Sequence, residues 1–314
     1  MGHEHGHDHT HGANKKTLMI SFMIITGYMI IEAIGGFMTN SLALLSDAAH
    51  MLSDSISLGI ALLAFTLGEK AANHSKTFGY KRFEILAAGL NGVTLIIIAI
   101  YIFYEAIQRF QHPPEVASTG MLVIATIGLL VNILVAWIML RGGDVEENLN
   151  MRGAYLHVIS DMLGSIGAII AALLIIFFGW SWADPLASVI VAALILRSGY
   201  YVTKSSLHVL MEGTPQNIDV DDVVQSFQNT KGIHSVHDLH VWSITSGLNA
   251  LSCHAVVDEQ LSIAESERLL RQVEHDLEHK NIHHMTIQLE TAAHLHDNSI
   301  LCKVKAESSG NHHH

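Results

Sequence analysis

Six times between residues 17 and 203 the chain runs apolar for long enough to cross a hydrocarbon layer of roughly 30 Å, which takes about 20 helical residues. The stretches are 17–38, 41–67, 83–108, 121–140, 152–178 and 185–203. Backbone amides cannot be left unpaired in lipid, so segments of this kind fold as helices, and the expected core is an all-α six-helix transmembrane bundle. The connections at 39–40 and 180–184 are short, which makes helices 1–2 and 5–6 antiparallel hairpins. Lys15, Lys16, Lys70, Lys76, Lys81, Arg82, Arg141, Arg152 and Lys204 all fall on one side if six helices alternate. Arg109 alone falls clearly on the other, and Arg197 sits inside segment six. That bias places both termini in the cytoplasm.

The flanks differ from the bundle. Residues 1–16 interleave His with Gly, Glu, Asp and Thr, a composition expected to be disordered and metal-attracting or a solvated tail without a required role. They lack an apolar core followed by a small-residue cleavage site, so no signal peptide is expected. The chain divides into a tail (1–16), the transmembrane domain (17–212), a soluble domain (213–297) and a C-terminal tail (298–314). His312, His313 and His314 read equally as an added tag and as a functional end. The soluble domain should begin with a helix at 219–229, acidic in its first turn and ended by Lys231-Gly232. Strands follow at 236–245 and 250–257, joined through Ser246-Gly247. Ser262-Ile-Ala-Glu265 is a capping box opening a helix to about Lys280, and 284–290 closes as a strand. This αββαβ order is an α+β layer with helices on one sheet face.

Within the apolar stretches one interval occurs twice: His50-Met-Leu-Ser-Asp54 and His157-Val-Ile-Ser-Asp161. Residues i and i+4 share a helix face, so each motif aims an imidazole and a carboxylate in one direction. Two such helices face to face would offer two nitrogens and two oxygens, a tetrahedral set suited to Zn2+, with cadmium and cobalt also admitted. An isolated buried His–Asp hydrogen bond on each helix is the plainer reading, but two copies of one spacing at similar depth speak against it. Ionisable groups in spans usually face a bundle interior or a water-filled path. Two carboxylates and two neutral imidazoles cancel one divalent cation. When the metal leaves, the bare carboxylates repel and are desolvated, so protons should replace it. Asp47 lies on nearly the same face, either as an entry or supporting carboxylate or as a group near the membrane boundary. Ser53, Asn91 and Asn132 are candidates for orienting ligands or for ordinary helix–helix hydrogen bonds. Glu32 is an intramembrane carboxylate with no assigned partner.

Composition removes other classes. A net charge of −12 argues against nucleic acid as a partner. Cys253 and Cys302 form no C-x-x-C, which sets aside zinc ribbons and thioredoxin chemistry. The chain has no G-x-x-x-x-G-K-[ST] phosphate loop, no Asp-Lys-Thr-Gly segment and no nucleophile–base arrangement, so neither an ATP-driven pump nor an enzyme is expected. A passive metal channel or uniporter could use the same ligands, although a buried four-ligand cage releases ions slowly. A membrane-anchored metal sensor or storage protein would also explain the histidines.

Ser46-Asp-Ala-Ala-His-Met-Leu-Ser-Asp54, Phe78-Gly-Tyr-Lys-Arg-Phe-Glu84, Asp184-Pro185 and His237-Asp-Leu-His-Val-Trp-Ser243 together resemble the cation diffusion facilitators. The likeness is nearest to the bacterial cobalt-zinc-cadmium resistance and vertebrate zinc-transporter branch, and it covers nearly the whole chain. It implies a homodimeric, proton-coupled exporter of Zn2+ in a bacterial inner or plasma membrane, working by alternating access. It also implies a ferredoxin- or metallochaperone-like cytoplasmic domain. The resemblance maps the intramembrane site onto His50, Asp54, His157 and Asp161. It maps cytoplasmic zinc ligands near a dimer interface, a structural zinc, onto His237, His254 and Glu290, with Cys302 and a partner or tail His completing them. The plainer reading of these is as surface strand residues. His240 lies three residues after His237, so on a regular strand the two point to opposite faces, and the resemblance selects His237. Some members carry His just after Phe-Gly or one residue further on, where this chain has Tyr80 and Lys81. An interfacial site here would fall to His74 with His283.

Overall fold

A computed structural model describes the backbone of residues 7–67, 73–142, 149–245, 247–293 and 299–300. Side chains are described over the same ranges except 7–18, 54, 57–58, 60–67, 139, 142, 149–157 and 159–160. The chain forms two compact units, one of residues 1–73 and 86–205, the other of residues 74–85 and 206–314.

The first unit holds six long helices: α1 (His7–Thr39), α2 (Leu42–Leu67), α3 (Arg82–Gln111), α4 (Ser118–Gly142), α5 (Leu149–Phe178) and α6 (Ala183–Leu210). Five of them are long and apolar enough over their described residues to cross a membrane. The sixth, α2, spans 26 residues, but many of its side chains lie outside those described. α1 begins at His7 rather than at residue 17, so the second half of the His-rich tract continues the helix instead of forming a coil. Nothing between His7 and Thr17 breaks it: no proline is present, and extending a nucleated helix costs little.

Small residues allow the helices to meet. α1, α2, α4 and α5 form one group, with Ile25, Tyr28, Met51, Val135, Ala136 and Val158 packed where they meet. Ala43 and Leu44 pack on the alanine stripe Ala168, Ala171 and Ala172 of α5. α3 and α6 pair through Ala99, Ala106 and Ala192, and at Gly92 and Gly199, where a Cβ would come within 3.1 Å of neighbouring backbone. Without a hydrophobic effect between helices in lipid, close approach through small side chains is what joins them. The faces turned outward carry Ile97, Tyr101, Tyr104, Leu130 and Ile190, all exposed. Trp180 stacks on Trp182 with ring centroids 5.1 Å apart at the α5–α6 connection, as interfacial aromatics do.

The second unit follows the expected αββαβ order: α7 (Val220–Asn229), β1 (Ile233–Thr245), β2 (Leu248–Val257), α8 (Ile263–Glu278) and β3 (Ile282–Glu290). β2 is central, antiparallel to β1 and parallel to β3. Val223, Val224 and Phe227 of α7 and Leu269, Val273 and Leu277 of α8 cover one sheet face, made by Val236, Leu239, Val241, Leu251, Cys253 and Ala255. The other face is free for chemistry. Segment 74–85 belongs to this unit, held by Arg82 to Glu212 at 3.1 Å and by the Thr245 hydroxyl donating to Glu84 at 2.8 Å.

Candidate metal centres

α2 and α5 run antiparallel, and their register is read from two levels. Asp47 of α2 lies against Gly164 of α5, where a Cβ would sit 2.3 Å from Asp47 Oδ1. One turn further along α2, His50 Nδ1 lies 3.6 Å from Asp161 Oδ1. One more turn makes position 54 level with position 157. The histidine of the first motif therefore stands opposite the aspartate of the second. The side chains of Asp54 and His157 lie outside the described residues. The Asp161 side chain is 2% exposed and that of His50 18%, so the contact lies within the packed helices. Asp47 turns to α5, its Oδ2 3.5 Å from the Ser165 hydroxyl. Asn91 donates to Ser53 Oγ at 2.9 Å and to its carbonyl at 3.3 Å, an α3–α2 hydrogen bond of the ordinary kind.

The second cluster lies on the sheet face that the helices leave uncovered. His254 Nδ1 is 2.6 Å from Glu290 Oε1, and His237 Nε2 is 3.4 Å from Glu290 Oε2. One ligand atom from each of the three lies within 4.8 Å of the others, and among the described residues this is the group of three or more that could hold a metal ion. Ligands about 2.0–2.1 Å from a tetrahedral zinc stand roughly 3.3 Å apart, so the three need little movement to close on one ion. Gln288 steadies the carboxylate by donating to Glu290 Oε1 at 2.7 Å. Cys302 lies outside the described residues. Asp238 N donates to Ser299 O at 3.4 Å and Leu239 N to Ile300 O at 2.9 Å, so residues 299–300 lie beside β1 next to His237.

A bulge in β1 corrects the expectation for His240. His237 pairs with His254 and His240 with Ser252, so three steps on β1 answer two on β2. The extra residue is Asp238, at φ 51°. Aspartate tolerates this left-handed geometry better than most residues. His237 and His240 consequently face the same way, and Asp238 reaches both neighbours: Oδ1 is 3.2 Å from His240 Nε2 and Oδ2 is 3.8 Å from His254 Nε2. Nothing in the spacing announced Asp238, because period-two counting has no place for an inserted residue. Cys253 faces the core, and burial, with the Asp238 carboxylate adding to it, pushes its thiol up to about 12. It is a packing group, not a ligand.

His74 and His283 are exposed and, among the described residues, belong to no group of three ligating side chains. The β3 histidine that meets segment 74–85 is His284, edge-on to Phe78 with ring centroids 5.5 Å apart.

Residues 18–211 match the family model of the cation efflux transmembrane domain, and residues 215–292 match that of the cation efflux protein, cytoplasmic domain. Over 309 residues, 98% of this chain and 99% of the relative, the sequence is 72% identical to a Bacillus subtilis (strain 168) protein named cadmium, cobalt and zinc/H(+)-K(+) antiporter. It is 44% identical over 293 residues (93% and 91%) to the cation efflux system protein CzcD of Alcaligenes sp. (strain CT14). It is 39% identical over 320 residues (100% and 99%) to the zinc transporter ZitB of Shigella flexneri.

Proposed function

Because the chain belongs to the cation efflux family, we propose that this multi-pass membrane protein is a proton-coupled antiporter that removes Zn2+, and with it Cd2+ or Co2+, from the cytoplasm. The observation that carries the reading is the crossed pairing of His50 with Asp161 between two antiparallel membrane helices. The site reads as His50, Asp54, His157 and Asp161. His50 takes the ion on an imidazole nitrogen, and Asp161 supplies a carboxylate oxygen that is shielded from water. In the loaded site the two carboxylates balance the divalent charge, which makes occupancy compatible with a low-dielectric interior. Release exposes that charge again, and incoming protons restore neutrality, so each cycle exchanges metal for protons. The two Bacillus relatives carry names that pair H+ with K+. We read K+ as a second counter-ion here as well.

The bias of the cationic loops supports an orientation with both termini cytoplasmic in a bacterial inner or plasma membrane. His237, His254 and Glu290 read as a structural zinc site, completed by Cys302, at the face where two copies of the chain associate as a homodimer. A bound zinc there would supply cross-linking, while the strands supply the geometry. Zn2+ flux measured in proteoliposomes beside an internal pH dye tests the proposal. The expected result is Zn2+ entry matched by proton exit, abolished by Asp161→Ala, with zinc still bound at His237, His254 and Glu290. Flux without proton movement would leave a passive uniporter as the better reading.

A further inference from the structure

The face of α8 that turns away from the sheet carries two imidazoles that neither candidate metal centre uses. α8 packs through Leu269, Val273 and Leu277, all buried. His275 stands two residues, about 200° of helix, from both Val273 and Leu277, so it points away from the packed face. His279 follows four residues later on the same stripe, and both residues are exposed. His279 is the C-cap of α8 at φ −64° and ψ −16°, still right-handed helical, so the i,i+4 relation holds to the end of the helix. The two rings meet, with centroids 4.7 Å apart and planes at 76°.

Two imidazoles one turn apart can each aim a ring nitrogen at a single ion, the arrangement that the paired histidines of an H-E-x-x-H helix use for zinc. Neither ring belongs to the core, so both can change rotamer to close on an ion without disturbing it. The surrounding charge favours a cation. Arg271, one turn before His275 on the stripe, is drawn back toward Glu267. Glu274, Asp276 and Glu278 flank the pair, against Lys280 as the neighbouring cation. Among the described residues no third ligating side chain joins the two histidines, which leaves the rest of the coordination sphere to water. Imidazole ligands suit Ni2+, Cu2+ and Zn2+ and not Mg2+ or Ca2+. Two protein ligands give an open position that exchanges its ion readily, unlike the three converging groups on the sheet. α8 covers the sheet face opposite His237, His254 and Glu290, so the two places do not share an ion.

We infer that His275 and His279 form an accessory, readily exchanging site for a divalent transition-metal ion on the exposed face of α8. An ion held by both rings staples the last turn of the helix, and that turn then opens only when the ion leaves. Hydrogen exchange read by mass spectrometry over residues 263–279 tests this on full-length protein in detergent, stripped with a chelator and titrated with Ni2+. With free Ni2+ at about ten times its Kd, opening that breaks the chelate becomes about 10-fold rarer, and the last-turn amides slow by that factor. His275→Gln and His279→Gln should each abolish the slowing. Without metal both should exchange like wild type, because glutamine is a good helix former. Glu290→Gln, which weakens the sheet cluster, should leave the slowing in place. Wild-type amides that exchange equally with and without Ni2+, up to millimolar concentration, would overturn the site and leave the rings as a packing contact. Slowing that survives both histidine substitutions, or that disappears in Glu290→Gln, would overturn it as well, because the ion would then sit elsewhere.

Discussion

At the scale of single residues, two cysteines and two histidines separate what position in sequence can say from what backbone geometry adds. Cys253 alternates with His254 on β2, so one faces the core and the other the ligand cluster. In a Cys302→Ser background, Cys253 is therefore expected to resist maleimide in folded protein and to react once denaturant is added. Labelling at the native rate of a free thiol would place it at the surface. The i,i+4 spacing says that the His and Asp of each motif share a helix face, but not that His50 meets Asp161 across α2 and α5, which depends on how the two helices pack. The orientation of His240 was not legible either. It depends on an inserted Asp238 at positive φ, and only the partner strand reveals that insertion. Glu32 was visible as a stray carboxylate, but its neighbours come from α2, α4 and α5, which no local pattern connects.

At the scale of elements, helix lengths and the αββαβ order were readable because apolar periodicity and capping residues act within a few positions. What held α2 at its height was not readable. Asp184 of α6, fully buried, accepts from the Ser41 hydroxyl at 2.6 Å, Leu42 N at 2.9 Å and Ala43 N at 3.2 Å. It caps α2 from another helix, and Arg109 lies 4.0 Å from its Oδ2 while donating to the Asn40 carbonyl at 2.7 Å. Sequence showed Asp184-Pro185 and a lone outer Arg109, with nothing to join them. Asp184→Ala removes three charge-assisted bonds, while Arg109 keeps its closer carboxylate, Glu105, at 3.0 Å. The expected loss is about 2–3 kcal/mol, on the scale of hydrogen bonds to a charged group. A thermal scan in detergent should show it, and an unchanged midpoint would refute the cap. The α8 capping box is a milder case. The Ser262 hydroxyl and backbone N–H donate to Glu265 Oε2 at 2.6 and 2.9 Å and hold that carboxyl below the usual carboxylate range. The folded carboxyl is the stronger acid, so its contribution is present above the unfolded value near 4.3. It fades as pH falls through the lower folded value. Ser262→Ala should cost α8 about 1 kcal/mol, as lost serine caps typically do. Hydrogen exchange of the first-turn amides would register both the loss and the disappearance of its acid dependence.

At the scale of the whole molecule, the two units carry separate cores and separate candidate metal sites, so damage to one can be told from damage to the other. The second unit raises a question about its buried ligands. His237 and Glu290 are 4% and 7% exposed although they lie on the sheet face opposite both helices. The C-terminal stretch supplies part of the reason. Its Ser299 and Ile300 carbonyls accept from Asp238 N and Leu239 N at the bulge, next in sequence to the ligand His237. A dry, hydrogen-bonded surround tunes a metal site as strongly as a ligand does, and losing it typically weakens affinity 10–100-fold. Truncation after residue 298 is therefore expected to weaken zinc at His237, His254 and Glu290 by at least about 10-fold, while Asp161-dependent transport continues. Cys302→Ser in the full chain separates the two causes. If it reproduces the whole loss, the thiol is the missing ligand. If affinity stays close to wild type, the backbone strap over the bulge is what the truncation removed. Competition with a calibrated zinc chelator measures all three proteins on one scale, and a truncated chain that binds as tightly as wild type would deny the tail either part.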